Sequence, residues 1–234
     1  LLELYINNKI INNKLVEKNV GVMKQNCYRL LRLVNNLLDT AEVEKGMIDA
    51  RLSNEDLICI VKRTLKSAIP YVNSKGLKLR FKTKYEKIII AFDKNMLERV
   101  ILNLLANAVK FTETGGEITV SAFKEKDFII ISDEDTGNGI PEDKLHSVFS
   151  RFYQVDDLLT RKHEGTGIGL SLAESFIKLH EGTISVESEI GKGTKVLVKL
   201  PDRLISKNDN KDNSKELKGE CFEKASIEFS DIYI

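Results

Sequence analysis

The sequence predicts an α/β fold: a two-layer sandwich in which a mixed sheet is covered by helices on one face, preceded by a long coiled-coil-like helix. Three observations carry this reading. First, Leu15–Glu44 repeats apolar residues every seven positions, at Val20, Cys27, Val34 and Ala41, interleaved with Val16, Met23, Leu30 and Leu37. Four such heptads separated by Lys, Glu, Arg and Asn read as a coiled-coil or four-helix-bundle seam, or as a single helix packed on its own domain. Second, from Leu77 onward short runs of period two, bounded by turn residues, are interspersed with amphipathic helical stretches, the pattern of helices laid on one sheet. Third, 234 residues with 42% hydrophobic content supply one core plus an accessory element.

Taken in order, Leu1–Ile6 reads as the tail of an apolar helix, and Asn7, Asn8, Asn12 and Asn13 flank a polar break before the heptads. Gly46 fits a C-terminal cap. Ser53 is read as an N-cap with Asp56 at the third helical position, opening a helix that runs to Ser67 or beyond. Pro70 lies inside the continuing pattern, so an end or a kink is expected there. Leu77–Tyr85 and Ile88–Phe92 alternate as strands, and Asp93 caps the next helix. Gly115–Gly116 turns into a strand over Glu117–Phe123, which pairs with Phe128–Ser132 across the charged turn Lys124–Asp127. Pro141 opens a short helix through Phe152, Asp156–Glu164 is polar, and a further helix covers Gly167–His180. Strands follow at Thr183–Glu189 and Lys195–Leu200. Ser206–Gly219 is a charged, Asn/Lys-rich linker of disordered composition. Phe222–Ile234 regains alternation and reads as a docking strand or a loose end.

Bulk properties exclude several classes. A net charge of +1, from 36 basic and 35 acidic residues, gives no overall attraction to nucleic acid or anionic lipid. Cys27, Cys59 and Cys221 are far apart without metal spacing, which suggests free thiols in a reduced, cytoplasmic setting. No apolar run is long enough to cross a bilayer, and no signal peptide is present. The chain opens at Leu1 in mid-pattern and reads as part of a longer protein, so membrane attachment of the parent stays open.

The helix Glu98–Phe111, ERVILNLLANAVKF, carries the chemistry. Val100, Ile101, Leu104, Leu105 and Ala108 form its apolar face. Asn103, Asn107 and Lys110 fall on one polar stripe, because spacings of four and three place side chains one turn apart. An Asn amide competes for backbone hydrogen bonds, so two of them inside a leucine-rich helix point to a polar ligand, a solvated face being the plain alternative. An amide oxygen suits a hard cation such as Mg²⁺, and an ammonium suits a phosphate. Two glycine clusters follow, DEDTGNGIP at Asp133–Pro141 and EGTGIGLSL at Glu164–Leu172. Glycine lets backbone amides approach a ligand, and a helix N-terminus offers free N–H groups to an anion. The spacing matches neither the phosphate loop nor the dinucleotide fingerprint.

In this order the segments resemble the ATP-binding domain of sensor histidine kinases, a branch of the Bergerat-type ATP-binding fold shared with gyrase, a chaperone and mismatch-repair ATPases. ERVILNLLANAVKF resembles the N box, DTGNGI the first glycine box, FSRFYQVD (Phe149–Asp156) the phenylalanine box, GTGIGLSL the second glycine box and GKGT (Gly191–Thr194) the last. RLLRLVNNLLDTAEVEKG resembles the second helix of the dimerisation domain. The resemblance spans Val16 to Pro201. It implies three regions: 1–48, part of a dimerisation and phosphoacceptor hairpin; 49–203, the ATP-binding domain; and 204–234, a linker and tail.

The resemblance further implies ATP and Mg²⁺ as ligands. Asn107 would bind the ion, with Asn103 supporting the same ion or its water shell, and Lys110 would contact phosphate. Asp135 would accept from the adenine amino group; an ionised carboxylate only accepts, which separates adenine from guanine at that edge. Gly137 and Gly139, beside Ile140, would let the backbone pass close to the base. Gly165, Thr166, Gly167, Gly169 and Leu170 would bring amides to the phosphates, with Arg161 adding a contact. Thr194 would reach the base through water, or simply start a strand. Phe149 and Phe152 pack the short helix or stack on adenine. Asp133 and Glu134 read as solvated strand-end residues.

The function so implied is that of a sensor histidine kinase in a two-component system, transferring the γ-phosphoryl of MgATP to a histidine on the dimerisation helix. A homodimer and a cognate response regulator would be its partners. Two departures qualify it. His146, His163 and His180 all lie outside the heptads, so the acceptor is expected to be missing from this chain. Asn103 stands where hydrolytic relatives place a general-base Glu, and an amide takes no proton at neutral pH, so fast hydrolysis is not expected. The alternatives are a non-catalytic nucleotide-binding or dimerisation module, an ATPase of the same superfamily and a serine kinase of the anti-sigma type.

Overall fold

The computed structural model describes residues 14–154, 166–206 and 219–232. Helix α1 (Lys14–Glu44) leads, followed by β1 (Ser53–Asp56), α2 (Leu57–Ser74), β2 (Lys78–Lys82), β3 (Ile89–Phe92), α3 (Lys94–Phe111), β4 (Glu117–Glu125) and β5 (Phe128–Asp135). A 3₁₀ turn (Glu142–Ser147), α4 (Gly169–Leu179), β6 (Thr183–Glu189), β7 (Gly193–Pro201) and α5 (Gly219–Glu228) complete the order. Five strands form one mixed sheet in the order β2-β4-β5-β7-β6, with β2 parallel to β4 and the other pairs antiparallel. β1 and β3 form a separate antiparallel pair.

The core lies between this sheet and helices α2, α3 and α4. Leu97, Leu105, Val109, Ile118, Val120, Ile129 and Ile177 in it are fully buried. As the periodicity predicts, α3 turns Leu104, Leu105 and Ala108 into that core. Asp93 caps the helix: its Oδ1 accepts from the amides of Asn95 (2.9 Å) and Met96 (3.1 Å).

Two local expectations are corrected. Ser53 is not the N-cap of α2; Ser53–Asp56 is extended and pairs with β3, in the register Ser53↔Phe92 to Asp56↔Ile89. Asp56 caps instead, its Oδ1 accepting from Ile58 N at 3.1 Å and also from Ile88 N at 3.2 Å, so one carboxylate ties the helix start to the neighbouring chain. The helix does not end at Pro70 but runs on to Ser74. Pro70 sits on the exposed side, so the carbonyl that it leaves without a helical donor faces water.

Helix α1 ends at a left-handed Gly46 (φ 61°), where Met47 N bonds Glu42 O at 2.9 Å. Its heptad seam does not face its own domain. Met23, Leu30, Val34 and Leu37 are each more than half exposed, whereas Asn36 is buried and Asp39 pairs with Arg99 of α3 at 2.5 Å.

The largest correction concerns the last element. The segment from Phe222 onward, expected to be a docking strand or a loose end, belongs to a docked helix over Gly219–Glu228 and the turn that follows it. Cys221, Ala225 and Phe229 recur every four residues and are buried. The Phe229 ring stacks on Tyr71 of α2 with centroids 4.6 Å apart, and Ser226 Oγ lies 2.9 Å from Tyr71 Oη. The linker expected over Ser206–Gly219 falls almost wholly outside the described residues.

Candidate functional site

A cavity of about 490 Å³ opens between α3, the end of β5 and the start of α4. It gathers residues that lie far apart in sequence. From α3 come Asn103, Asn107 and Lys110; from β5 and its loop, Asp133, Asp135, Gly139 and Ile140; from the following segment, Phe149; from the approach to α4, Thr166, Gly167, Gly169 and Leu170; and from β7, Thr194. Gly137 is buried behind this wall. Arg161 and Gly165 lie outside the described residues.

The polar stripe on α3 is laid out one turn per residue, as the spacing predicts. Asn107 Nδ2 donates to Asn103 Oδ1 at 3.3 Å, which leaves Asn107 Oδ1 out of that bond. Gly169 is pressed against the Asn103 amide so closely that a Cβ at this position would collide with it. The first turn of α4 therefore abuts the middle of α3, and its N-cap residue, Ile168, forms no side-chain cap. A helix start beside two carboxamides and a lysine suits an anion accompanied by a hard cation. Among the described residues no cluster of His, Cys, Asp and Glu could hold a metal without help. Neutral amide oxygens fit Mg²⁺ where phosphate and water complete its shell, so the donor set suits an ion that arrives with its ligand.

Asp135 ends β5, opposite Thr194 of β7. Its Oδ1 accepts from Gly137 N at 2.7 Å, which holds the glycine loop in place. Burial raises its pKa; the amides of Gly137 and Thr194 oppose that rise, and the Glu134 charge adds to it. The loop is then laced to the β6–β7 turn through Ser188, a residue that no motif singled out. Ser188 Oγ accepts from Ile140 N at 2.8 Å, donates to Gly193 O at 2.7 Å and lies 3.1 Å from Thr194 Oγ1. Gly139 is left-handed (φ 70°), and a side chain there would strike the Glu189 backbone.

Asp133 is not a solvated residue. It is buried and lines the cavity, and burial, with the Asp135 charge adding to it, pushes its pKa up to about 8. Glu134 faces the other way and is exposed. The signal was available: side chains two apart on a strand share a face, so Asp133 must accompany Asp135. The two phenylalanines also separate. Phe149 lines the cavity, whereas Phe152 is exposed and left-handed (φ 60°). The wall also includes Asn138 of the first glycine box and Tyr153 of the phenylalanine box, and, outside any motif, Val186 and Val196, together with Arg32 and Asn36 of α1 and Glu228, Asp231 and Ile232 at the far end of the chain.

The histidines are not gathered here. His180 is buried, its Nδ1 lies 2.6 Å from Phe176 O and its Nε2 accepts from Asp93 N at 2.9 Å. That fixes the neutral tautomer with the proton on Nδ1, and burial lowers its pKa. It is a structural residue that joins α4 to the cap of α3. His146 is exposed on the 3₁₀ turn, and His163 lies outside the described residues.

Comparison with known proteins follows the same lines. The family described as "Histidine kinase-, DNA gyrase B-, and HSP90-like ATPase" matches residues 92–204. Hybrid signal transduction histidine kinase D of Dictyostelium discoideum is 35% identical over 193 residues, covering 80% of this chain and 12% of that protein. Sensor protein SrrB of Staphylococcus aureus (strain N315) is 32% identical over 186 residues, covering 80% of this chain and 32% of SrrB. The chain thus spans less than half the length of these curated relatives. Among solved structures, full-length ShkA in complex with AMPPNP aligns with a TM-score of 0.71 at 25% identity, covering 81% of this chain and 39% of ShkA. Histidine kinase AdeS of Acinetobacter baumannii shares the fold with a TM-score of 0.63 at 20% identity, covering 86% of this chain and 90% of AdeS. ThkA, solved in complex with the response regulator protein TrrA, does so at 0.61 and 17% identity, covering 86% of this chain and 56% of ThkA. No helix among the described residues is long and apolar enough to cross a membrane.

Proposed function

The chain belongs to the sensor histidine kinases through its catalytic ATP-binding domain, and from that premise we propose that it binds MgATP in the α3/β5/α4 cavity and delivers the γ-phosphoryl to a histidine on a dimerisation helix that this sequence does not contain. One observation carries the reading: Asp135 stands at one part of a single cavity, and Asn103, Asn107, Lys110 and Gly169 stand together at another.

In this reading Asp135 selects adenine, because its ionised carboxylate only accepts: Oδ1 takes the Gly137 amide, the Thr194 amide lies beside the group, and lone pairs remain to accept from the base. Ile140 and Phe149 flank the base, and Thr194 supports it beside Asp135. Asn107 and Asn103 hold Mg²⁺. An ion held there would supply neutralisation of phosphate charge. Lys110 adds a fixed positive charge, and the first amides of α4 point at the phosphates. Thr166, Gly167 and Leu170 shape that wall, with Arg161 and Gly165 proposed to close over it. Without a carboxylate at Asn103 to draw a proton from water, the site favours transfer over hydrolysis.

We divide the chain accordingly into part of a dimerisation hairpin (1–48), the ATP-binding domain (49–203) and a terminal segment (204–234). The outward apolar seam of α1 suits a second copy of the helical hairpin, and ThkA with TrrA suggests a response regulator as the acceptor of the phosphoryl group. Neither described histidine is placed as an acceptor: His180 is locked in the fold and His146 is not among the residues that line the cavity. The test is incubation with γ-labelled ATP. The chain alone should bind ATP but form no acid-labile phosphate, and the chain joined to a helix that carries an acceptor histidine should form it. Labelling of the chain alone that vanishes with His163→Ala would overturn the assignment of the acceptor.

A further inference from the structure

The end of the cavity that holds Asn103 and Gly169 is not walled by the ATP-binding domain alone. Asn36 of α1 and Glu228 at the end of α5 share a small hollow with Asn103, Arg99 and Gly169. Glu228 and Asp231 also reach the main cavity, as does Arg32 of α1. Arg32 donates to Glu228 O at 2.6 Å and is ion-paired with Asp231, whose other oxygen lies 3.2 Å from Arg29 Nε. Gln25 Nε2 donates to the carbonyls of Ser230 and Ile232, both at 3.0 Å. On the other side, Lys224 of α5 reaches Glu98 (3.1 Å) and Asn95 (2.7 Å) of α3.

This segment therefore bridges α1 and the ATP-binding domain, and it does so with two acidic side chains at the place where the proposed function needs a triphosphate. Burial raises the pKa of Glu228; Arg32 and Arg99 oppose the rise, while Asp231 and Asp39 add to it. Whichever form Glu228 takes, the Asp231 carboxylate occupies both Arg29 and Arg32, and Arg32 is the α1 cation that lines the cavity. An anion arriving there meets a site already filled by an anion. A tethered competitor acts at high effective concentration, so weak contacts suffice to keep it in place.

We propose that residues 219–232 form an intramolecular plug that competes with the phosphates of the nucleotide for the α1-facing end of the cavity, and that ATP binding and release of α1 from the domain both require its displacement. The proposal rests on the nucleotide reading above.

The test uses the full chain. Glu228→Gln combined with Asp231→Asn keeps the shape and removes the charge. AMPPNP with Mg²⁺ is titrated calorimetrically into both proteins, and amide exchange over 219–232 is followed in the wild type with and without AMPPNP. Displacement predicts about tenfold tighter binding by the variant, since apparent affinity scales with the open fraction, and faster exchange in 219–232 once nucleotide is added. A folded variant that binds no tighter, or exchange that is unchanged or slower with nucleotide, overturns the plug and leaves the nucleotide site standing. If neither protein binds AMPPNP, the nucleotide reading falls and takes the plug with it. If the variant does not fold, the exchange measurement on the wild type decides alone.

Discussion

Replacing Asp135 with Asn should cost ATP affinity by a definite route. Asp135 Oδ1 accepts from Gly137 N at 2.7 Å, and the second oxygen is the acceptor proposed for the adenine amino group. Asn offers one oxygen and one NH₂. If its oxygen keeps Gly137 N, the NH₂ opposes the base's own NH₂. If it turns to serve the base, Gly137 N loses its partner and the first glycine loop loosens. Either orientation forfeits one hydrogen bond to a charged group, about 1.5–3 kcal/mol, or roughly 10- to 150-fold in Kd. Discrimination against GTP should fall as well, because the acceptor-only edge is gone. The assay is calorimetric titration of ATP and GTP into wild type and Asp135→Asn, with melting curves to establish that both are folded. Equal ATP affinities would refute the placement of the base at Asp135. Acidification offers an independent check: burial holds the pKa of Asp135 above that of an exposed carboxyl, so binding should weaken at a pH where surface aspartates are still ionised.

Asn107→Ala should abolish the tightening of ATP binding by Mg²⁺ while leaving the melting temperature close to wild type; a lowered melting temperature with the Mg²⁺ effect intact would make Asn107 structural. Leu105, fully buried on the same helix, should behave oppositely: Leu105→Ala should cost about 2–5 kcal/mol in denaturant unfolding. Asp133→Asn should stabilise the protein increasingly as pH rises. With the folded pKa near 8 and an unfolded value near about 4, the folded wild type holds a proton that the unfolded chain has lost, so wild-type stability falls between those values and the variant's does not. Melting curves from pH 5 to pH 9 that run parallel for the two proteins would contradict this.

What could be read from the sequence was what local spacing encodes. The stripe Asn103, Asn107, Lys110 follows from helical period alone, and so does the core face of α3. The alternation of Thr183–Glu189 gave that strand with its observed ends, because period two over seven residues admits no helical reading. Asp93 as a cap needed only its place before the helix. Errors arose where one side chain answers to two elements. Local spacing puts Asp56 inside the helix, because its second partner, Ile88 N, lies 32 positions away beside the β1–β3 pair.

The last helix shows the same limit most sharply. In Phe222–Ile234 the large apolar residues Ile227 and Phe229 alternate, which favours a strand. The residues that settle the matter are small, Cys221 and Ala225, and a small side chain reveals its burial only against a partner. That partner is the surface around Tyr71 on α2, more than a hundred positions away, which stacks on Phe229 and is hydrogen-bonded through its hydroxyl to Ser226. The contacts with α1 are likewise long-range: Arg29 and Arg32 read as ordinary solvated positions between heptad residues until Asp231 is placed beside them. A heptad helix has two faces to account for. Its apolar seam is exposed and awaits another helix, so the face that holds it to the domain has to be the polar one. The ion pairs on that face are largely shielded from water, so they part readily only where an incoming anion takes over the cationic partner. The sequence can mark the seam that would join two chains; only the fold reveals that the opposite face is held by ion pairs and carbonyl contacts to the end of the chain.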